Sequence, residues 1–137
     1  MKILVIDDDP AMTELLSLVL APTKAQIITS NSGEEGIKFV KEQSPDIILL
    51  DLMMPHMDGW QVTENIRSFS STPILILSVL DNPGLVAKAL DKGADDYLVK
   101  PVPSGILIAH INNLTRRRTL HSPDTAPLKI ETTIAHQ

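Results

Sequence analysis

Asp7, Asp8, Asp51, Ser78 and Lys100 are the side chains of this 137-residue sequence whose types could together do chemistry. Carboxylates are hard oxygen ligands of the kind Mg²⁺ takes, with waters and a substrate phosphate completing the octahedron. Three of them at close quarters repel and desolvate one another, a cost that a bound dication offsets. A carboxylate is also a nucleophile, and Asp51 in that role gives an aspartyl phosphate. A lysine ammonium, a serine hydroxyl and the metal would then stabilise charge on the transferring oxygens. Each residue alone is more simply a cap on the end of a strand. The set of five, each at such an end, is not explained that way.

What positions them is a series of apolar runs. Lys2-Ile3-Leu4-Val5-Ile6 leads into Asp7-Asp8-Asp9, Ile47-Ile48-Leu49-Leu50 into Asp51, Pro73-Ile74-Leu75-Ile76-Leu77 into Ser78, and Tyr97-Leu98-Val99 into Lys100-Pro101. Short unbroken apolar runs read as strands buried on both faces, as in a parallel sheet covered by helices. In such sheets ligands sit beyond the carboxyl ends of the strands, where the strand order switches. Neighbouring strands would gather all five groups in one crevice.

Helical segments alternate with these runs. Asp9-Pro10 opens a helix with Met12, Leu15, Leu16, Val19 and Leu20 as its apolar stripe. Residues 25–29 are a second strand, and Ser32 with Glu35 forms a capping box for a helix carrying Ile37, Phe39 and Val40. Asp58 caps a helix with Trp60, Val62, Ile66 and Phe69, and Asn82-Pro83 opens one that Gly93 ends. Ser104 starts a last helix with Leu107, Ile108, Ile111 and Leu114. The alternation predicts an α/β doubly wound fold, a five-stranded parallel sheet in the flavodoxin-like order 2-1-3-4-5 with helices on both faces.

Composition excludes several functions. A net charge of −5 is wrong for a segment that grips nucleic acid itself, and Arg116-Arg117-Arg118 is too short to reverse that. With no cysteine there is no disulfide framework or thiolate site. No apolar run approaches the roughly 20 residues of a membrane span, and no signal-peptide pattern opens the chain, so the expected location is cytoplasmic. Residues 1–120 form one domain. Residues 121–137, containing Ser122-Pro123-Asp124-Thr125-Ala126-Pro127, have the composition of a linker towards an output domain or of a plain tail.

The motifs Ile6-Asp7-Asp8, Leu50-Asp51-Leu52-Met53-Met54-Pro55, Asp58-Gly59, Ser78 and Gly93-Ala94-Asp95-Asp96-Tyr97-Leu98-Val99-Lys100-Pro101 resemble those of bacterial response-regulator receiver domains of the CheY-like type, collinearly from Lys2 to about Arg118. The resemblance implies that Asp51 accepts phosphate from a sensor histidine kinase. It implies that Asp8, Asp51 and the backbone carbonyl of Met53 bind Mg²⁺, with Asp7 acting largely through water. Ser78 and Lys100 would read the phosphoryl group, and Tyr97 would be the switch aromatic that turns inward with the hydroxyl residue. The Gly-Ala-Asp-Asp-Tyr segment resembles OmpR-type regulators, in which a winged-helix DNA-binding domain follows. In that class Asp95 and Asp96 pair with basic residues across a homodimer formed by the helix 4–strand 5–helix 5 face. Arg117 stands at one basic position, His110 replaces another, and Val86 and Ile106 occupy two more charged positions.

Three functions follow for comparison. A phosphorylation-controlled switch, with no chemistry on an outside substrate, uses all five residues. A receiver-like interaction module working without phosphorylation would not need them. An aspartyl-phosphate phosphatase or phosphotransferase usually carries a second acid two residues after its nucleophile, where Met53 stands here. His56, His110, His121 and His136 lack metal-ligand spacing, and His56 is expected to be exposed. In receiver domains the positions two residues after the phosphoacceptor and two after the switch hydroxyl border the approach of the hydrolytic water; the resemblance puts apolar Met53 and Leu80 there, with bulky Val79 beside Ser78, and so implies that a phosphoryl group on Asp51 decays slowly.

Overall fold

The computed structural model describes residues 1–119, with side chains through Arg117. Strands β1 (Lys2–Ile6), β2 (Gln26–Ser30), β3 (Ile47–Leu50), β4 (Ile74–Ser78) and β5 (Asp96–Val99) alternate with helices α1 (Pro10–Leu20), α2 (Gly33–Gln43), α3 (Gly59–Arg67), α4 (Pro83–Asp91) and α5 (Ser104–Thr119). The strands form one parallel sheet in the order β2-β1-β3-β4-β5, as the alternation predicts. Residues 120–137, which include the expected linker or tail, lie outside the described residues.

The period-two geometry of the strands divides the core into two layers. Leu4, Ile6, Ile48, Leu50, Ile74 and Ile76 face α2, α3 and α4, whose Ile37, Val40, Val62, Ile66 and Ala89 cover them. Ile3, Val5, Ile47, Leu49, Leu75 and Leu77 face α1 and α5, covered by Leu16, Leu20, Leu107, Ile108, Ile111 and Leu114. Both faces of the central strands are therefore dry, which is why their sequences are unbroken apolar runs rather than alternating ones.

Local signals start and stop the helices. Asp9 accepts from the Ala11 N–H with Pro10 in the first turn, and Asn82 accepts from the Gly84 N–H with Pro83 in the same place. Asp58 and Gln61 make a full capping box, which the sequence reading credited to Asp58 alone. The Ser32 box is one-sided: Ser32 accepts from the Glu35 N–H, but its own N–H turns to Ser30 Oγ. Gly93 ends α4 at φ 114, where a side chain would also run into Arg67. Boundaries moved slightly: β2 and β4 each start one residue later than the pattern suggested, making Ser78 the last residue of its strand. Leu15, assigned to the buried stripe of α1, is half exposed, and Thr13 is buried instead.

Candidate functional site

β1 and β3 are adjacent at the centre of the sheet, and their ends deliver the acids. The Asp51 N–H donates to the Ile6 carbonyl at 3.0 Å, and the Asp7 N–H to the Ser30 carbonyl at 3.0 Å. The pairing thus continues one step past each strand and fixes where the carboxylates leave the sheet. Oxygens of Asp7, Asp8 and Asp51 lie within 4.8 Å of one another, with Asp7 buried, Asp51 intermediate and Asp8 exposed. Lys100 Nζ reaches across from the end of β5 to donate to Asp7 Oδ2 at 3.0 Å and lies 3.8 Å from Asp51 Oδ1. Asp7 Oδ1 also accepts from the Asp9 N–H, so each oxygen of this buried carboxylate, 3% exposed, has a partner.

Electrostatics follow from that crowding. Burial pushes the Asp51 carboxyl above its ordinary value of 3.8; Lys100 pulls it down, Asp7 pushes it further up, and the N–H groups of Met53 and Leu52 favour the ionised form. One lysine beside three carboxylates leaves the cluster under-neutralised. The donor set is all oxygen and opens to solvent at Asp8, which fits a hard, partly hydrated dication such as Mg²⁺.

Ser78 and Tyr97 converge on a different atom pair. Ser78 is fully buried, and its Oγ accepts from the Leu80 N–H at 3.2 Å. The half-buried Tyr97 donates its hydroxyl to the Leu80 carbonyl at 2.6 Å. Leu80 is thereby held at both its N–H and its carbonyl by the two residues that the resemblance assigns to switching. The Lys100 N–H in turn donates to the Ser78 carbonyl at 2.8 Å, and the Lys100–Pro101 peptide is cis. Met53, two residues after Asp51, is 55% exposed, and Val79, next to Ser78, is 65% exposed. His56 is exposed in the loop after Asp51, as expected, with φ 68.

Several contacts had no local signal in the sequence. Asn31 donates to the Asp7 carbonyl and to Thr13 Oγ1, tying the end of β2 to the acid loop. Arg67 donates to the carbonyls of Gly93, Ser70 and Thr72 and to Asp95 Oδ2 at 2.6 Å. Asp95 also accepts from the Ile74 N–H, while Asp96 meets His110 Nδ1 at 2.5 Å. Both acids that the resemblance assigns to cross-dimer pairing therefore have partners inside their own chain. Arg117 is exposed towards the end of α5.

A doubly wound sheet with an acid cluster at its switch point, a lysine across it and a tethered β4–α4 loop defines a class of signalling domain. Residues 3–112 match the family model of the response regulator receiver domain. The chain is 40% identical over 125 residues to the transcriptional regulatory protein AfsQ1 of Streptomyces coelicolor, an alignment covering 91% of this chain and 56% of that protein. It is 41% identical over 123 residues to the cell cycle response regulator CtrA of Brucella ovis, covering 89% and 53%. The BeF3-activated receiver domain of Klebsiella pneumoniae RstA superposes with a TM-score of 0.81 at 28% identity, covering 85% of this chain and 99% of that one. The chain belongs to the response regulator receiver domain family, the phosphorylation-controlled switches of two-component systems. It spans about half the length of the curated relatives it matches. Among the described residues no helix is long and apolar enough to cross a membrane.

Proposed function

We propose that Asp51 is the phosphoacceptor and that its donor is a phosphohistidine of a sensor histidine kinase. The observation that carries this is the place of the Asp51 carboxylate, 3.8 Å from the Lys100 ammonium and within 4.8 Å of both other acids. In the transfer, the phosphorus–nitrogen bond to the donor imidazole breaks as a phosphorus–oxygen bond forms to Asp51. Asp8, Asp51 and the Met53 carbonyl would hold Mg²⁺, with Asp7 acting through water; when bound, the ion supplies positive charge for the phosphoryl oxygens. Lys100 supplies a second charge, and it releases Asp7 to the extent that it turns to the phosphoryl group. The Ser78 hydroxyl then leaves the Leu80 N–H for a phosphoryl oxygen, and Tyr97 carries the consequence to the outer face of β5.

Residues 1–120 are the receiver unit, and residues 121–137 link it to an output domain that binds DNA in the manner of OmpR-type regulators. This segment itself contacts no nucleic acid and turns over no outside substrate, and the protein works in the cytoplasm. The α4–β5–α5 face forms a homodimer through Leu90, Val99 and Ile106, which are exposed there, because Asp95 and Asp96 are already paired. The decisive test is intact-mass analysis after treatment with acetyl phosphate and Mg²⁺. A single phosphate adduct is expected on the wild type and none on Asp51→Asn. A full-occupancy adduct on that variant overturns the assignment.

A further inference from the structure

We infer that Asn31 is a positioning residue for Mg²⁺: its side-chain amide fixes the peptide that joins Asp7 to Asp8 and so sets the aim of the metal-binding acids. The inference rests on Asp8 being a metal ligand. Asn31 Nδ2 donates to the Asp7 carbonyl at 2.9 Å and to Thr13 Oγ1 at 3.2 Å. That carbonyl belongs to the peptide unit between the two acids, so whatever turns the unit turns the Asp8 carboxylate.

The need for such a tie follows from where the strand stops. The β1–β2 register runs to Ile6 opposite Ser30, and a further backbone bond joins the Asp7 N–H to the Ser30 carbonyl at 3.0 Å. Helix α1 then begins its own bonding at the Asp9 carbonyl, which accepts from the Met12 and Thr13 N–H groups. Between those fixed points lie the Asp7 carbonyl and Asp8. The Asp7 side chain is held by Lys100 and the Asp9 N–H, whereas the Asp8 carboxylate is exposed and takes its direction from the backbone. Asn31 bridges this gap to the helix as well. Its second partner, Thr13, is buried on the first turn of α1 and donates its own hydroxyl to the Pro10 carbonyl.

Mg²⁺ makes the gap matter. The ion takes oxygens at about 2.0–2.1 Å in near-ideal octahedral geometry, so a modest rotation of the Asp7–Asp8 peptide removes Asp8 from its place. Without the ion, carboxylates within 4.8 Å of one another repel and push the loop open. An opened loop must be closed again at the expense of binding energy, and a side chain that keeps it closed raises affinity by preorganisation. An amide suits the position. It supplies N–H donors and no charge, where an aspartate of the same shape would set a further carboxylate near the cluster and an acceptor against a carbonyl. Because the tie acts on the metal-free protein, raising the Mg²⁺ concentration should overcome its loss. Chemistry at Asp51, whose N–H is held by the Ile6 carbonyl, should then keep its maximal rate.

The experiment titrates the full chain with Mg²⁺ by calorimetry, comparing wild type with Asn31→Ala, Ser30→Ala and Asp8→Ala. Asn31 is exposed, so truncating it leaves the core intact. Ser30 Oγ donates to the Ser32 carbonyl and braces the same turn without its side chain touching Asp7. Asn31→Ala should raise the Kd for Mg²⁺ about fivefold or more, the scale of one net hydrogen bond. Ser30→Ala should lower the melting temperature in EDTA and leave that Kd at the wild-type value. Phosphorylation by acetyl phosphate should need correspondingly more Mg²⁺ in Asn31→Ala and reach the wild-type rate once the ion saturates. An unchanged Kd in Asn31→Ala beside a weakened Asp8→Ala overturns the inference alone. An equal rise in Ser30→Ala, or a rate that saturating Mg²⁺ does not restore, does the same. An unchanged Kd in Asp8→Ala overturns its assignment as a ligand, and the inference with it.

Discussion

Replacing Asp51 with Asn should make the metal-free protein more stable, because the acid cluster is held together against its own charge. At an effective dielectric near 20, the Lys100–Asp51 contact at 3.8 Å contributes about 4 kcal/mol of attraction. Each of the other two carboxylate oxygens, within 4.8 Å, opposes it with at least about 3.5 kcal/mol. Two repulsions exceed one attraction, and burial of Asp51 adds to the imbalance. Solvent around exposed Asp8 and the sharing of Lys100 with Asp7 reduce the difference, leaving an expected gain of about 1–2 kcal/mol, or several degrees in melting temperature.

Urea unfolding at pH 7 in EDTA measures this gain directly. Its pH dependence is fixed in sign. The folded-state carboxyl of Asp51 titrates above its unfolded value of 3.8, so the wild type gives up stability as pH rises from 3.8 through the raised folded value. Below that window the protonated acid is neutral, as Asn is, and the two proteins should converge. Mg²⁺ works in the opposite direction: at about 100 times its Kd it adds about 2.7 kcal/mol to the wild type and less to the variant. If Asp51→Asn is no more stable than wild type in EDTA at pH 7, the reading of the cluster as electrostatically strained is wrong.

Three further outcomes are expected. Asp8→Ala should weaken Mg²⁺ binding by about tenfold or more while leaving the melting temperature in EDTA unchanged or higher, since Asp8 is an exposed member of the acid cluster; calorimetric titration checks both. Tyr97→Phe removes the 2.6 Å bond to the Leu80 carbonyl, at a cost of about 1 kcal/mol; hydrogen exchange should speed in the β4–α4 loop and not in β1 or β3. A Met53→Asn, Leu80→Glu double variant places polar groups at those two positions and should shorten the phosphoryl lifetime several-fold, the scale of water orientation by positioned groups; an unchanged decay rate would show that water access there does not set it.

The strand tips were legible because their strands are buried on both faces, which leaves an apolar run that stops abruptly at the candidate residue. Asp7, Asp51, Ser78 and Lys100 were picked out in this way, and parallel strand order then brought Asp7, Asp51 and Lys100 together, with Ser78 at the end of the strand between them. Helix starts at Asp9, Asp58 and Asn82 were equally readable, since a cap acts within three residues. Pairings across the sequence were not. Nothing near Arg67 announces that it will hold Asp95, 28 positions away, or that Asp96 will meet His110 instead of a residue on another chain. Leu15 fits the period of the α1 stripe, but helical periodicity cannot tell the centre of a buried face from its border. Neither could it show that the Ser78 hydroxyl points to the Leu80 N–H.

The two walls of the crevice differ in stiffness. On the Asp51 side, Gly59 lies so close under the loop that a Cβ there would stand 2.4 Å from the Asp51 carbonyl oxygen, and the capped first turn of α3 backs it up. On the other side, Leu80 is moored only by side chains, its N–H donating to Ser78 Oγ and its carbonyl accepting from the Tyr97 hydroxyl. A load applied between such walls displaces the compliant one. A phosphoryl group on Asp51, as proposed, would therefore press towards the Leu80 side, where α4 and β5 follow.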